Sequence, residues 1–224
     1  MVVGYNTNYG WKTAFASPEN QPTYLHAHKL MRKTWGDMPK PEEINGEKWN
    51  QVASHVNSNY FFIDMERYTL ESVLRKGAEL VKRKGIKCLV IDPFNKVRAQ
   101  DASGDVNVYT LEYLQQIEIF AKKYDVLVIV VAHPTKMYKD KDGKIEEPTM
   151  YNIKGGGEWY DASYHGLLVH RDYEKKTVKC KVLKVKFQNL GENGAEAHFK
   201  WEPRSGCFIP QQPPDLSDSK MPWE

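Results

Sequence analysis

The 224-residue chain sets 32 Lys+Arg against 29 Asp+Glu, with 27% charged and 41% hydrophobic residues, the balance of an ordinary soluble globular protein with one sizeable core. A net charge of +3 is too small to argue for a nucleic-acid partner except where lysines cluster locally. Cys88, Cys180 and Cys207 stand far apart without a CxxC spacing, which excludes a disulfide framework and a cysteine zinc site and fits a reducing, intracellular compartment. The longest apolar run falls far short of the ~18 residues a membrane span needs. MVVGYNTNYGWK at the N-terminus lacks the basic, apolar, small-residue order of a signal peptide.

In chain order, KTAFAS (12–17) predicts a strand stopping at SPEN, and PTYLHAHKLMRKTW predicts a helix through the spacing of Leu25, Leu30 and Met31. NYFFID (59–64) predicts a second strand. TLESVLRKGAELVKRKG predicts an amphipathic helix with Leu70, Val73, Leu74, Ala78, Leu80 and Val81 apolar and a stop at Gly85, running directly into the strand KCLVID. VYTLEYLQQIEIFAKKYD predicts a helix buried through Leu111, Leu114, Ile117, Ile119 and Phe120, followed by the apolar strand VLVIVVAH. Strands alternating with helices describe an α/β fold with a mostly parallel central sheet flanked by helices. Past residue 165, HGLLVHR, TVKCKVLKVKF and AEAHFKW run as strands with no helix between them, so antiparallel strands are added toward the C-terminus. QQPPDLSDSKMPWE is a polar, proline-rich tail, giving a domain over 1–209 and a tail over 210–224.

KCLVIDPFNKV, from position 87, ends an apolar strand on the carboxylate of Asp92. An unpaired buried carboxylate costs several kcal/mol, so the charge sits at an open strand end or meets a partner there. It is either a strand terminator before a proline turn or a carboxylate aimed at a metal ion and a nucleotide phosphate. Glu19 after KTAFASP and His133 after VLVIVVA are two further polar strand ends. Three at one carboxyl edge favour a site, because parallel sheets bind ligands there. Two carboxylates and an imidazole suit the polarising of water and the holding of Mg²⁺ around a triphosphate.

The order SPEN, CLVIDPFNKV, VLVIVVAHPTK resembles the RecA-like ATPase core of DnaB-type replicative helicases, in the branch of phage primase-helicases and Twinkle. The resemblance implies Glu19 as the base that orients attacking water and Asp92 as the Walker B carboxylate supporting Mg²⁺ through water. It implies His133 as the sensor of the γ-phosphate. KMYKDKDGKIEEPTMYNIKGGGEW is similar to the family's loop for single-stranded DNA, implying contacts from Lys136, Lys139, Lys141, Lys144, Lys154, Gly155, Gly156 and Gly157. By composition alone the same stretch is a solvated, charged loop. KVLKVKF looks like the segment that reaches a neighbouring subunit's nucleotide, with Lys184 and Lys186 where the family usually has an arginine, and lysine lacks that residue's bidentate fork. Arg171 and Trp201 resemble positions flanking the nucleotide base, and without the family match they read as a surface arginine and a partly buried indole.

No GxxxxGK[ST] occurs in the chain. The resemblance therefore implies a motor domain without its first strand and phosphate loop, weak in ATP binding by itself. What it implies for the intact parent is ATP and Mg²⁺ use, a hexameric ring on single-stranded DNA, a primase as a further partner, and the cytoplasm of a bacterial or phage-infected cell. Two other readings stand beside it: a RecA-like ATPase of recombination or packaging, and a catalytically incomplete DNA-binding or assembly module.

Overall fold

A computed structural model describes residues 1–97, 105–137, 147–172 and 176–211. In chain order the elements are α1 (Val2–Tyr9), β1 (Lys12–Ala16), α2 (Thr23–Trp35), α3 (Glu47–Asn59), β2 (Tyr60–Phe62), α4 (Leu70–Lys84), β3 (Ile86–Ile91) and α5 (Val106–Tyr124), then β4 (Leu127–Val130), α6 (Gly156–Ala162), β5 (His165–Asp172), β6 (Thr177–Val185), β7 (Glu196–Glu202) and β8 (Cys207–Pro210). They divide into two units, Met1–His133 and the residues from Pro134 onward.

The first unit is a four-stranded sheet in the order β2-β1-β3-β4, with every pairing parallel. Its central strands carry apolar runs, Ala14 to Ala16 and Cys88 to Ile91, because both faces are covered there; in β3 Cys88, Leu89 and Ile91 are wholly buried. Phe15 of β1 packs with Leu30 and Met31 of α2 and with Val52 and Val56 of α3. Burial pushes the Cys88 thiol up to about 11, so it remains a protonated core residue. α4 begins on a reciprocal cap in which Thr69 Oγ1 accepts from the Ser72 amide and Ser72 Oγ accepts from the Thr69 amide, each at 3.2 Å, an arrangement that contributes about 1 kcal/mol. It stops where expected, at Gly85 with φ 70°, a left-handed conformation that glycine adopts without penalty.

Several local expectations give way to packing. α5 buries Thr110, Tyr113, Leu114, Ile117 and Phe120, one stripe at helical spacing, while Leu111 and Ile119 are exposed. The helix is turned toward Tyr113, whose ring meets Phe94 edge-on at 4.8 Å. Leu25 of α2 is likewise exposed. β2 is shorter than NYFFID suggests, because Asn59 closes α3. α3 itself carries only a thin apolar stripe, Val52 and Val56 one turn apart, within a polar sequence.

The second unit holds α6 and a separate antiparallel sheet in the order β5-β6-β7-β8. The added antiparallel strands thus pair among themselves, and β8 completes them. Gly166 of β5 lies beneath the Met150 side chain, whose Cε would stand 3.2 Å from a Cβ placed there. Met150 is buried and docks the 3₁₀ turn Met150–Asn152 on this strand. Glu147 pairs with both Lys179 and Lys181 of β6, which holds its carboxyl below the usual carboxylate range through hydrogen bonds from the two ammonium groups.

Gly77 marks a close approach of α4 to its neighbours. A Cβ there would lie 3.1 Å from Phe120 Cζ and 3.3 Å from Leu89 Cδ2. Gly77→Leu therefore overpacks the junction of α4, α5 and β3, and lowers unfolding free energy by about 1–3 kcal/mol, measured by the urea midpoint at constant m-value.

Candidate functional site

The three parallel strands β1, β3 and β4 end side by side, and their carboxyl edge gathers the polar residues singled out above. Asp92 follows β3 directly and is half-buried. Two neutral donors hold its carboxylate. Ser17 Oγ lies 3.1 Å and Asn20 Nδ2 3.0 Å from Asp92 Oδ2. Asn20 Nδ2 also donates to Ser17 Oγ at 2.7 Å, and Lys29 Nζ donates to Asn20 Oδ1 at 3.2 Å. The positive charge of Lys29 thus reaches the carboxylate through an intervening amide. Backbone bonds fix the same edge: the Asp92 amide donates to Ala16 O at 3.0 Å, Val131 N to Ile91 O at 2.9 Å, and Phe94 N to Val131 O at 2.8 Å.

Glu19 is exposed in the turn after β1, one residue before Asn20, and His133 is exposed just past β4. The structure therefore brings Glu19, Asp92 and His133 to one sheet edge, on neighbouring strands. Sequence reasoning misses Ser17 and Asn20, because SPEN draws attention to its glutamate alone; the available signal is two small polar residues bracketing it at a strand end. The neighbouring turn is also held, as Gln21 Nε2 donates to Asp64 Oδ1 and lies 3.3 Å from Tyr68 Oη.

The edge suits Mg²⁺ in its donor chemistry. Mg²⁺ commonly takes one or two carboxylates and completes its octahedron with water and substrate phosphate oxygens. Both donors to Asp92 bind Oδ2, which leaves Oδ1 for such a shell. Among the described residues no group of three or more His, Cys, Asp or Glu converges as a protein-only metal cage. A groove of about 500 Å³ lies elsewhere in this unit, between α4 and α5, lined by Leu74, Ala78, Ile119, Phe120 and Lys82. It lies along the helices that cover the sheet and contains none of the polar strand ends.

The other candidates lie in the second unit. In β6 the Lys184 ammonium donates to the carbonyls of Tyr160 and Asp161 at the end of α6 and stands 4.7 Å from the centre of the Tyr160 ring. Lys186, beyond the strand, is exposed and stands 4.1 Å from the Tyr164 ring. Both lysines lie over tyrosine rings of their own chain, and Lys184 in addition donates to backbone carbonyls. Register aligns Arg171 with Val178 and Val178 with Phe199, so Arg171, Phe199 and Trp201 share one sheet face. Trp201 packs on Phe208 at 5.0 Å. Lys136 and Lys154 are exposed, whereas Lys139, Lys141 and Lys144 lie outside the described residues. Gly155 is left-handed with φ 77°. At Gly156 a Cβ would stand 2.7 Å from the Tyr151 carbonyl carbon, while Gly157 has open space around it.

His26 borders this carboxyl edge, its ring 4.6 Å from that of Phe15 and 5.1 Å from that of Phe62. Burial lowers its pKa, Lys29 adds to the lowering, and Asp92 opposes it. The unfolded chain therefore takes up this proton first as pH falls. The stability due to neutral His26 is present above about pH 6.5 and is lost as pH falls through the lowered folded value. His26→Phe keeps the ring packing and flattens the fall in urea midpoint below about pH 6.5, read against the parent across a pH series.

No family model matches the chain. Over 230 aligned residues it is 29% identical to the Twinkle homolog protein, chloroplastic/mitochondrial, of Arabidopsis thaliana, covering 93% of this chain. The chain spans 31% of that relative's length. Among solved structures, an ATPase domain superposes with a TM-score of 0.70 at 13% identity, over 91% of this chain and 75% of that one. A DnaB-like replicative helicase, solved to describe its interactions with primase, superposes with a TM-score of 0.68 at 15% identity, over 89% of this chain and 50% of that one. Among the described residues no helix is long and apolar enough to cross a membrane. The parallel sheet and these likenesses agree: the chain has a RecA-like fold like that of the DnaB-like helicase, and it is similar in sequence to a Twinkle homolog.

Proposed function

We propose that the chain is motor-domain sequence from an ATP-dependent replicative DNA helicase, one that hydrolyses ATP between subunits of a ring and moves along single-stranded DNA. The observation that carries this reading is the convergence of Glu19, Asp92 and His133 at the carboxyl edge of the parallel sheet, with Asp92 tied to the Glu19 turn through Ser17 and Asn20. Phosphoryl transfer asks little covalent chemistry of the protein; it asks for placed charge and an oriented water. Glu19, exposed at the edge, accepts the proton of the attacking water. Asp92, restrained through one carboxylate oxygen, would hold Mg²⁺ with the other, and the ion would supply positive charge to offset that of the phosphates. His133 meets the terminal phosphate and leads directly into Pro134 and the basic stretch beginning at Lys136, so a change at the phosphate has a short covalent route to the DNA-facing residues. Lys186, exposed and outside its strand, is the better placed of the two lysines to reach a neighbouring subunit.

The catalytic half is tested by joining a P-loop strand and helix ahead of residue 1 and measuring steady-state ATPase. Glu19→Gln keeps nucleotide binding and loses turnover, because the amide keeps the side chain's shape and cannot accept the water's proton. His133→Ala keeps basal turnover and loses stimulation by single-stranded DNA. Parental turnover in both variants would refute the assignment of this edge.

The DNA half is tested on the 224-residue chain by fluorescence anisotropy with a labelled single strand across a salt series. Each phosphate contact on a single strand contributes about −0.7 to the slope of log affinity against log salt. Replacing Lys136, Lys139 and Lys141 by alanine flattens that slope by about two units. An unchanged slope would return the stretch to a solvated loop.

A further inference from the structure

Tyr151 and Tyr160 form an aromatic pair that phosphate contacts leave unexplained. Their ring centres are 5.2 Å apart with planes inclined by only 20°. Tyr160 is half-buried, while Tyr151 is 61% exposed. A tyrosine ring left that open to water and locked in a stacked orientation offers a flat, preformed surface at low entropic cost.

The locking has an identifiable cause. Tyr151 belongs to the turn that Met150 docks onto β5, and the α6 backbone at Gly156 approaches the Tyr151 backbone so closely that a Cβ there would strike its carbonyl. A side chain at 156 would push this turn from α6, and with it the Tyr151 ring from Tyr160. Trp159 fastens the other side, donating from Nε1 to Lys154 O at 3.1 Å. Lys184 fixes the end of α6 by donating to the Tyr160 carbonyl.

The surroundings say what the surface takes. Thr135 donates from its amide and its Oγ1 to Asn152 O at 2.7 and 2.9 Å, and Pro134 bridges to Ile153. The start of the basic stretch, with exposed Lys136, is thereby stitched to the turn that carries Tyr151. Exposed Lys154 follows three residues later. An exposed aromatic face flanked by lysines is the combination that binds single-stranded nucleic acid, the ring stacking on a base and the lysines meeting phosphates. Glu158 and Asp161 on α6 moderate the local charge, so the ring supplies attraction that salt does not screen.

We infer that Tyr151, held against Tyr160 by the missing side chain of Gly156, is a stacking platform for one unpaired base of single-stranded DNA. The inference rests on the DNA-binding reading above and adds to it a contact to a base. Stacking requires only a π-face, so it is tolerant of sequence.

The test uses the 224-residue chain at low salt with two labelled oligomers of equal length and charge, oligo(dT) and its abasic counterpart. The parent binds oligo(dT) about ten-fold more tightly than the abasic strand, and that ratio persists as salt is raised. Tyr151→Leu, which keeps apolar bulk without a ring, brings the ratio to about one, and Gly156→Ala does the same. Tyr151→Phe retains it. Equal binding of both strands by the parent, or an unchanged ratio in Tyr151→Leu, would overturn the platform while leaving phosphate binding in place. Failure of the parent to bind either strand would overturn the DNA-binding reading itself.

Discussion

The carboxylate of Asp92 sits at the end of a buried strand, and the way its charge is accommodated organises the edge around it. Two neutral donors from the turn after β1, Ser17 and Asn20, grip one oxygen, and the nearest ammonium in the network acts through Asn20. A direct lysine or arginine would neutralise the group and satisfy it completely. Neutral donors restrain its direction and leave its charge available, which is what a carboxylate needs if it is to meet a cation brought by substrate. The same bonds tie β1's turn to β3's end, so the position of the Glu19 turn depends on Asp92. The bond from Phe94 to Val131 extends this restraint to the strand that leads to His133.

The second unit solves a different problem, the holding of a short helix and a turn on an antiparallel sheet. It does so largely by leaving side chains out. Gly166 makes room for Met150, Gly156 makes room for the Tyr151 backbone, and Gly155 supplies the left-handed residue before α6. Lys184 closes the end of that helix. The glycines are therefore fitted to the chain's own backbone and side chains first, and whatever ligand this region takes meets a surface already set by those internal contacts.

Much of the architecture was legible in the sequence because burial on both faces leaves a strong signature. KTAFAS, KCLVID and VLVIVVAH carry dense apolar runs and became the three strands that form the edge. The cap at Thr69 and stop at Gly85 bound α4 where its periodicity begins and ends. α3 was not legible, since its sequence is polar and only Val52 and Val56 commit it to the core. The facing of α5 was also missed: Leu111 and Ile119 are more apolar than Tyr113 and Thr110, but the buried stripe runs through the latter pair and meets Phe94. At the candidate site the charged residues stood out and their uncharged partners did not, because serine and asparagine at a turn have many ordinary uses. The stacking of Tyr151 on Tyr160 depends on a backbone approach that no spacing rule announces.

The central claim is that the carboxyl edge of the parallel sheet is where metal and nucleotide bind. Paramagnetic relaxation by Mn²⁺ tests it most directly, in an isotope-labelled chain carrying a P-loop segment ahead of residue 1 and loaded with a non-hydrolysable ATP analogue. Replacing Mg²⁺ by Mn²⁺ should broaden the amide signals of Ser17, Glu19, Asn20, Asp92 and His133, and leave those of Gly77 and Phe120, in the helices over the sheet, sharp. Broadening centred on the groove between α4 and α5, with the strand-end signals intact, would contradict it.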